Sequence, residues 1–485
     1  MSIHRSEFVL KSQSSIEINR RAFLGQAGIG FGSAALLSML GGRALGAGIE
    51  ASPKGLPGIP HHTPKVKRVI FLCMAGGPSH LETFDHKPKL DELHGQPMPK
   101  SFTAGQPIAQ LQGQKLKVQG TLTKFRNHGT CGQPVSDFLP YTAKMIDDLC
   151  VVKSMVTEQI NHDPAHTFMN TGTAISGRPS MGAWVNYGLG SESEDLPGFV
   201  VLTSVGGRNP QPIAARQWAA GFLPSRHQGV EFNSAGDPVH YVGNPPGVSR
   251  RHQDALVRTI RQLDRRRDAL VDDPEIRTRI AAYEMAFRMQ ASVPELTDVS
   301  NEPRHILDMY GAKPGDGSYA SNCLLARRLA EKGVRFIQLY HRGWDHHGGL
   351  EKYMGICCGL TDKPTWALLT DLKQRGMLED TLLVWGGEFG RTPMYQGKGG
   401  PGRDHHIKGF SMWMAGGGIK PGISYGATDE LGYNAVQDVV HVRDFHATML
   451  HLLGIDHHRF AVKYQGLDMR LTGVEPAHAV KGVLA

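Results

Sequence analysis

Val66-Lys67-Arg68-Val69-Ile70-Phe71-Leu72-Cys73-Met74 runs directly into Ala75-Gly76-Gly77-Pro78. A short apolar run that stops at a Gly-Gly-Pro turn reads as a buried strand entering a loop. Similar runs follow at Leu149–Val152, Phe199–Leu202, Val334–Leu339, Leu382–Trp385 and Ser411–Ala415. Between them lie amphipathic patterns at Ser180–Leu189, Tyr319–Lys332, Lys363–Arg375 and Val442–Leu453, all with helical spacing. Buried strands alternating with helices predict an α/β fold on a doubly wound, mainly parallel sheet. Sites in such folds gather beyond the carboxyl ends of the strands.

One stretch departs from this alternation. Arg250-Arg251-His252-Gln253-Asp254-Ala255-Leu256 opens a charged, amphipathic segment over 250–292, and Asp273-Pro274-Glu275 has the character of a second helix start. The expectation is an inserted helical hairpin whose arginines form a solvated face. The remaining organisation is a leader over 1–47, a Pro/Gly/His-rich linker over 48–64, and a single domain over 65–485.

The leader carries a charged beginning, then Arg20-Arg21-Ala22-Phe23-Leu24 opening an uncharged stretch to Gly42, then Ala44-Leu45-Gly46-Ala47. This is the layout of an export signal, and the paired arginines before Phe-Leu match the twin-arginine type. The expected destination is the periplasm or the extracellular space, with no stable membrane span after leader removal. Of the formal charge of +8, five Lys/Arg against two Glu in residues 1–47 supply +3, leaving +5. So mild a balance over 485 residues allows an anionic substrate and does not call for nucleic acid. The six cysteines show neither CxxC nor CxxCH spacing, which gives no support to a zinc ribbon or a covalent haem.

The 24 histidines are the more informative residues, because many sit in pairs. Five polar clusters stand at or near the ends of the apolar runs: Gly76-Gly77-Pro78-Ser79-His80-Leu81-Glu82-Thr83-Phe84-Asp85, Asn161-His162-Asp163-Pro164-Ala165-His166, Gly343-Trp344-Asp345-His346-His347-Gly348, Gly386-Gly387-Glu388-Phe389-Gly390-Arg391-Thr392-Pro393 and Gly402-Arg403-Asp404-His405-His406. Imidazole with carboxylate suits zinc, manganese or iron. Glycine at both ends lets the backbone turn sharply and approach a bound group.

These motifs, with the leader and the tail Asp444-Phe445-His446-Ala447-Thr448-Met449-Leu450-His451-Leu452-Leu453-Gly454, resemble the bacterial family called domain of unknown function 1501, over nearly all of residues 65–475. That family is placed in the alkaline phosphatase and sulfatase superfamily. The resemblance implies a one- or two-metal site on a parallel sheet, with a nucleophile at a helix start. Sulfatases carry Cys/Ser-x-Pro-Ser-Arg followed by Thr-Gly. Here His162-Asp163-Pro164-Ala165-His166 is followed by Thr171-Gly172 at the same spacing, so His162 stands at the nucleophile position and His166 at the arginine position. Asp345, His347 and His405 match the superfamily's later metal ligands. Glu388-Phe389 stands where an Asp-His pair is expected. The aspartate expected after the first strand is missing, with Ser79, His80, Glu82 and Asp85 as nearby substitutes, so one complete site is better supported than two.

The resulting expectation is an exported hydrolase of phosphate or sulfate esters, dependent on a divalent ion such as zinc or manganese. Asp345, His347, His405 and Glu388 would hold the ion, with His80 and Glu82 as further candidates. Arg391, Arg403 and Ser79 would hold the substrate's oxyanion. His162 or His166 would move protons, with His162 open as nucleophile, base or ligand. The substrate would be a small anionic ester or a sulfated or phosphorylated glycan. The alternative is a non-catalytic periplasmic binding or assembly protein that keeps the fold.

Overall fold

The computed structural model describes residues 55–211, 213–239, 249–271, 274–397 and 399–485. The leader expected over 1–47 lies outside them. Among the described residues nine strands form the central sheet: β1 (Arg68–Ala75), β2 (Cys150–Val156), β3 (Phe199–Arg208), β4 (Val230–Phe232), β5 (Phe336–Trp344), β6 (Thr381–Gly386), β7 (Phe410–Gly416), β8 (Ile423–Tyr425) and β9 (Val440–His441). Their order is β8-β2-β7-β6-β1-β5-β3-β4, with β9 also paired to β2. Strand β7 runs antiparallel to β2 and β6, and the other pairings are parallel. The fold is therefore α/β with a mainly parallel sheet, as the apolar runs imply.

Every residue of β1 from Val69 to Ala75 is buried, which explains its unbroken apolar run: a strand covered on both faces has no polar side to alternate. Val69, Phe71, Cys73 and Ala75 join one core with Phe168 and Met169 of α1 (His162–Thr171), Trp184 and Val185 of α2 (Met181–Leu189), and Phe445, Met449 and Leu450 near the carboxyl end of the chain. Tyr340 of β5 joins the same core, whereas the next residue, His341, packs its ring 5.2 Å from Tyr319 at the start of the 319–331 helix. Helices thus cover both faces of the sheet.

The segment expected as a linker is held against the fold where it is described. Leu56 donates its amide to the Gly188 carbonyl at 2.9 Å, and His61 to that of Gly454 at 2.8 Å. Its composition allowed a free linker, but its backbone donors find partners on the domain. The helix expected at Lys363 begins thirteen residues earlier and runs from Leu350 to Gln374 through Pro364. The stretch read as helical over 250–292 holds helices Arg250–Val271 and Pro274–Thr297. Residues 237–295 belong to a compact unit separate from that formed by 55–236 and 296–485. Among the described residues no helix is long and apolar enough to cross a membrane.

Several histidines are buried as neutral groups. His446, in the helix Val442–Leu452, donates from Nε2 to the Met169 carbonyl at 2.8 Å, and burial pushes its pKa down to about 4. An unfolded chain takes up this proton near the ordinary value of about 6.5, so its absence from the fold costs stability only as pH falls from there towards 4. His446→Gln, which keeps a donor, should flatten that acid loss by up to about 3 kcal/mol at pH 4 while leaving the pH 7–9 plateau level. Thermal melts of both chains across pH 4–8 measure it, and parallel curves would contradict it.

Candidate metal centre

Three neighbouring strands supply the base of the site. In register, Cys73 of β1 lies opposite Gly386 of β6, and Ala75 opposite Arg342 of β5. The carboxyl ends of β6, β1 and β5 therefore deliver Glu388, Gly76-Gly77 and Asp345 side by side. Gly76 has φ +127°, and a Cβ there would stand 2.5 Å from the Asp345 nitrogen, so only glycine allows this approach. Helix α1, after β2, brings in His162 as its first residue. His405 arrives on a two-residue strand paired with Gly390-Arg391.

Three imidazoles converge on one carboxylate oxygen. The Nε2 atoms of His162, His347 and His405 lie 3.3, 2.9 and 3.3 Å from Asp345 Oδ1. Each ring is held by an acceptor at its other nitrogen. His162 Nδ1 is 2.6 Å from Glu388 Oε1, His347 Nδ1 is 2.6 Å from Gln396 Oε1, and His405 Nδ1 is 2.8 Å from the Ile160 carbonyl. A proton on each Nδ1 satisfies these acceptors and leaves each Nε2 lone pair aimed at the same place. Lone pairs facing a carboxylate oxygen repel one another unless a positive charge lies among them. A divalent cation fits this donor set, and ligand atoms from His162, Asp345, His347 and His405 all lie within 4.8 Å of one another.

Burial alone would raise the Asp345 pKa, but its polar neighbours, the Arg391 guanidinium among them, outweigh it and hold the carboxyl far below the usual range. Burial pushes His405 down to about 3, against a weaker upward pull from Asp345. Burial also lowers His162, yet Asp345 and Glu388 outweigh it and the balance is upward. His162 and His347 remain 13% and 18% exposed, so the cluster opens to solvent. The ring of Phe389 packs 4.9 Å from that of His162 and 4.6 Å from that of His405, forming an apolar wall where an Asp-His pair was expected.

Glu388 and His166 form a second group with His162, whose ligand atoms also lie within 4.8 Å of one another. Glu388 stands behind His162 as its acceptor, and also takes the amides of Gly76 at 3.0 Å and Gly77 at 3.2 Å. Burial pulls its pKa up, but His166 and His162 bring it to about 2, so it stays an anion. His166 lies 3.3 Å from Glu388 Oε1, fully buried, and burial keeps it neutral against the pull of Glu388. Arg391 donates to the carbonyls of Gly76, Gly77 and Arg403 and, at 2.7 Å, to Asp345, so it braces a ligand. Arg403 is fully buried, with all its donors spent on Glu82 and on the carbonyls of Gln119, Gly120 and Thr392. Ser79 bonds Glu82, and His80 bonds the Gly432 carbonyl at 2.8 Å. Arg403, Ser79 and Glu82, expected at the substrate or the metal, are here engaged with one another, because a charge at zero exposure must be compensated internally, and His80, expected at the metal, is held by a backbone carbonyl.

Sequence reading missed the amides around the cluster. Gln211 donates to Asp345 Oδ2 at 2.9 Å, and Gln396 orients His347. Asp404, in a cluster already noted, takes the amides of His405 at 2.9 Å and Leu111 at 2.8 Å. Nothing local marks a glutamine as a partner of a residue 49 or 134 positions away.

The family described as "Protein of unknown function (DUF1501)" matches residues 66–484. The chain belongs to this family. No curated protein matches it. Among solved structures, it is similar to the PsFucS1 sulfatase from Pseudoalteromonas sp., at 11% identity, covering 87% of this chain and 72% of that one, with a TM-score of 0.35. A second is the lipoteichoic acid synthase LtaP from Listeria monocytogenes, at 10% identity, 84% and 74% coverage and a TM-score of 0.33. A third is the alkaline phosphatase from the Antarctic bacterium TAB5, at 10% identity, 76% and 96% coverage and a TM-score of 0.27.

Two substitutions test this division of roles. Glu388→Gln should weaken zinc binding roughly 10- to 100-fold, read by chelator competition, because the His162 acceptor loses its charge. Arg403→Met should cost about 3–5 kcal/mol in a denaturant melt by leaving Glu82 buried without its cation. A melt like that of the unaltered chain would return Arg403 to the list of substrate contacts.

Proposed function

We propose that this protein is an exported, metal-dependent hydrolase of phosphate or sulfate esters, taking a small anionic ester or a sulfated or phosphorylated glycan. The observation that carries the reading is the convergence of three Nδ1-anchored histidines on Asp345. His162, Asp345, His347 and His405 would hold one divalent ion, zinc or manganese, with Gln211 and Arg391 fixing the carboxylate. Such an ion supplies Lewis acidity and neutralises ester charge. Glu388 keeps the proton on His162 Nδ1, which makes His162 a ligand in preference to a nucleophile. His166, buried behind Glu388, supports that carboxylate.

A second reading, a metal-binding protein of the exported space without turnover, is favoured by Arg391 and Arg403. Both arginines expected at the substrate are committed to carbonyls and carboxylates of the chain itself.

The folded full chain should carry one transition metal ion, and Asp345→Ala or His405→Ala should lose it. A panel of aryl phosphates, phosphodiesters and aryl sulfates should show turnover that Asp345→Ala lowers by about 100-fold or more. Stoichiometric metal with no turnover across the panel would favour the second reading. Retention of metal by both variants would overturn the ligand assignment.

A further inference from the structure

Gln110 lies on an exposed loop 237 residues before His347, and its Nε2 donates to His347 Nε2 at 3.2 Å. That lone pair is one of the three directed at Asp345 Oδ1. In the neutral ring, with the proton on the nitrogen that faces Gln396 Oε1, Nε2 accepts there. The amide is not placed by chance. Gln396 Nε2 donates to Gln110 Oε1 at 3.1 Å, and the neighbouring Leu111 amide is tied to buried Asp404, the residue that also fixes His405. One lone pair serves one partner. A cation on His347 Nε2 and the Gln110 N–H exclude one another.

We propose that Gln110 is a displaceable competitor for the cation position: metal binding releases its carboxamide from His347, and Gln110 then stands at the rim, free to hydrogen-bond a hydroxyl or ester oxygen of the bound molecule. This rests on the metal reading above. Gln396 has the opposite effect. Its oxygen holds His347 in the ligating tautomer, so it assists the ion while its nitrogen holds the competitor. Releasing one hydrogen bond sets the scale of competition at roughly fivefold in affinity.

The test is zinc affinity of the metal-stripped full chain, by competition with a chromophoric chelator. Gln110→Ala should bind zinc roughly fivefold tighter than the unaltered chain, and Gln110→Leu, which keeps the bulk but not the donor, should do the same. Gln396→Ala should bind more weakly. A purely structural role for Gln110 would move both variants of it towards weaker binding, which overturns the proposal while leaving the metal site in place. Equal affinity of all chains overturns it too. Zinc binding by none of them removes the metal reading and this inference together.

Discussion

Three adjacent parallel strands whose carboxyl ends fall within a few residues of one another make everything else at this centre possible. Because β6, β1 and β5 are hydrogen-bonded in register, their carboxyl ends present Glu388, the Gly76-Gly77 amides and Asp345 in one row. The row places negative charge where donors already wait. Gly76 and Gly77 hold Glu388, and Arg391 and Gln211 hold Asp345. Only then can rings from α1, from the loop after β5 and from the 405–406 strand close over Asp345 Oδ1 with their outer nitrogens anchored.

The division between two arginines shows how little sequence proximity says about role. Arg391 and Arg403 both lie within a few residues of the paired strands 390–391 and 405–406, and both are buried. Arg391 touches the carboxylate of the cluster, whereas Arg403 neutralises Glu82 on the far side of the same loop system. The pair Arg403–Glu82 has no exposure on either side, so its worth lies in avoiding an uncompensated charge more than in added stability. Through the backbone it fixes the Asp404-His405 step, and so it reaches the site without facing it.

The scaffold was largely legible in the sequence because fully buried strands cannot hide: Val69–Met74 has no polar residue to confuse it. Four of the grouped residues, His162, Asp345, His347 and His405, were legible as carboxylate–imidazole clusters beside strand ends. What could not be read was direction. Glu388 follows a strand as Asp345 does, yet it turns to His162 and the glycine amides; only the register with β1 decides that. His80 and Glu82 carry the right atoms but point at Gly432 and Arg403. The amides of Gln110, Gln211 and Gln396 have no local signature, since their partners are brought near by folding alone. The start of the 350–374 helix was hidden by Gly355, Gly359 and Pro364, which tertiary packing overrides.

The four grouped residues are scattered from position 162 to position 405, and their anchoring partners are more scattered still. No short piece of the chain holds more than two of them. An unfolded or half-made chain would therefore have little hold on an ion, and capture would coincide with completion of the sheet.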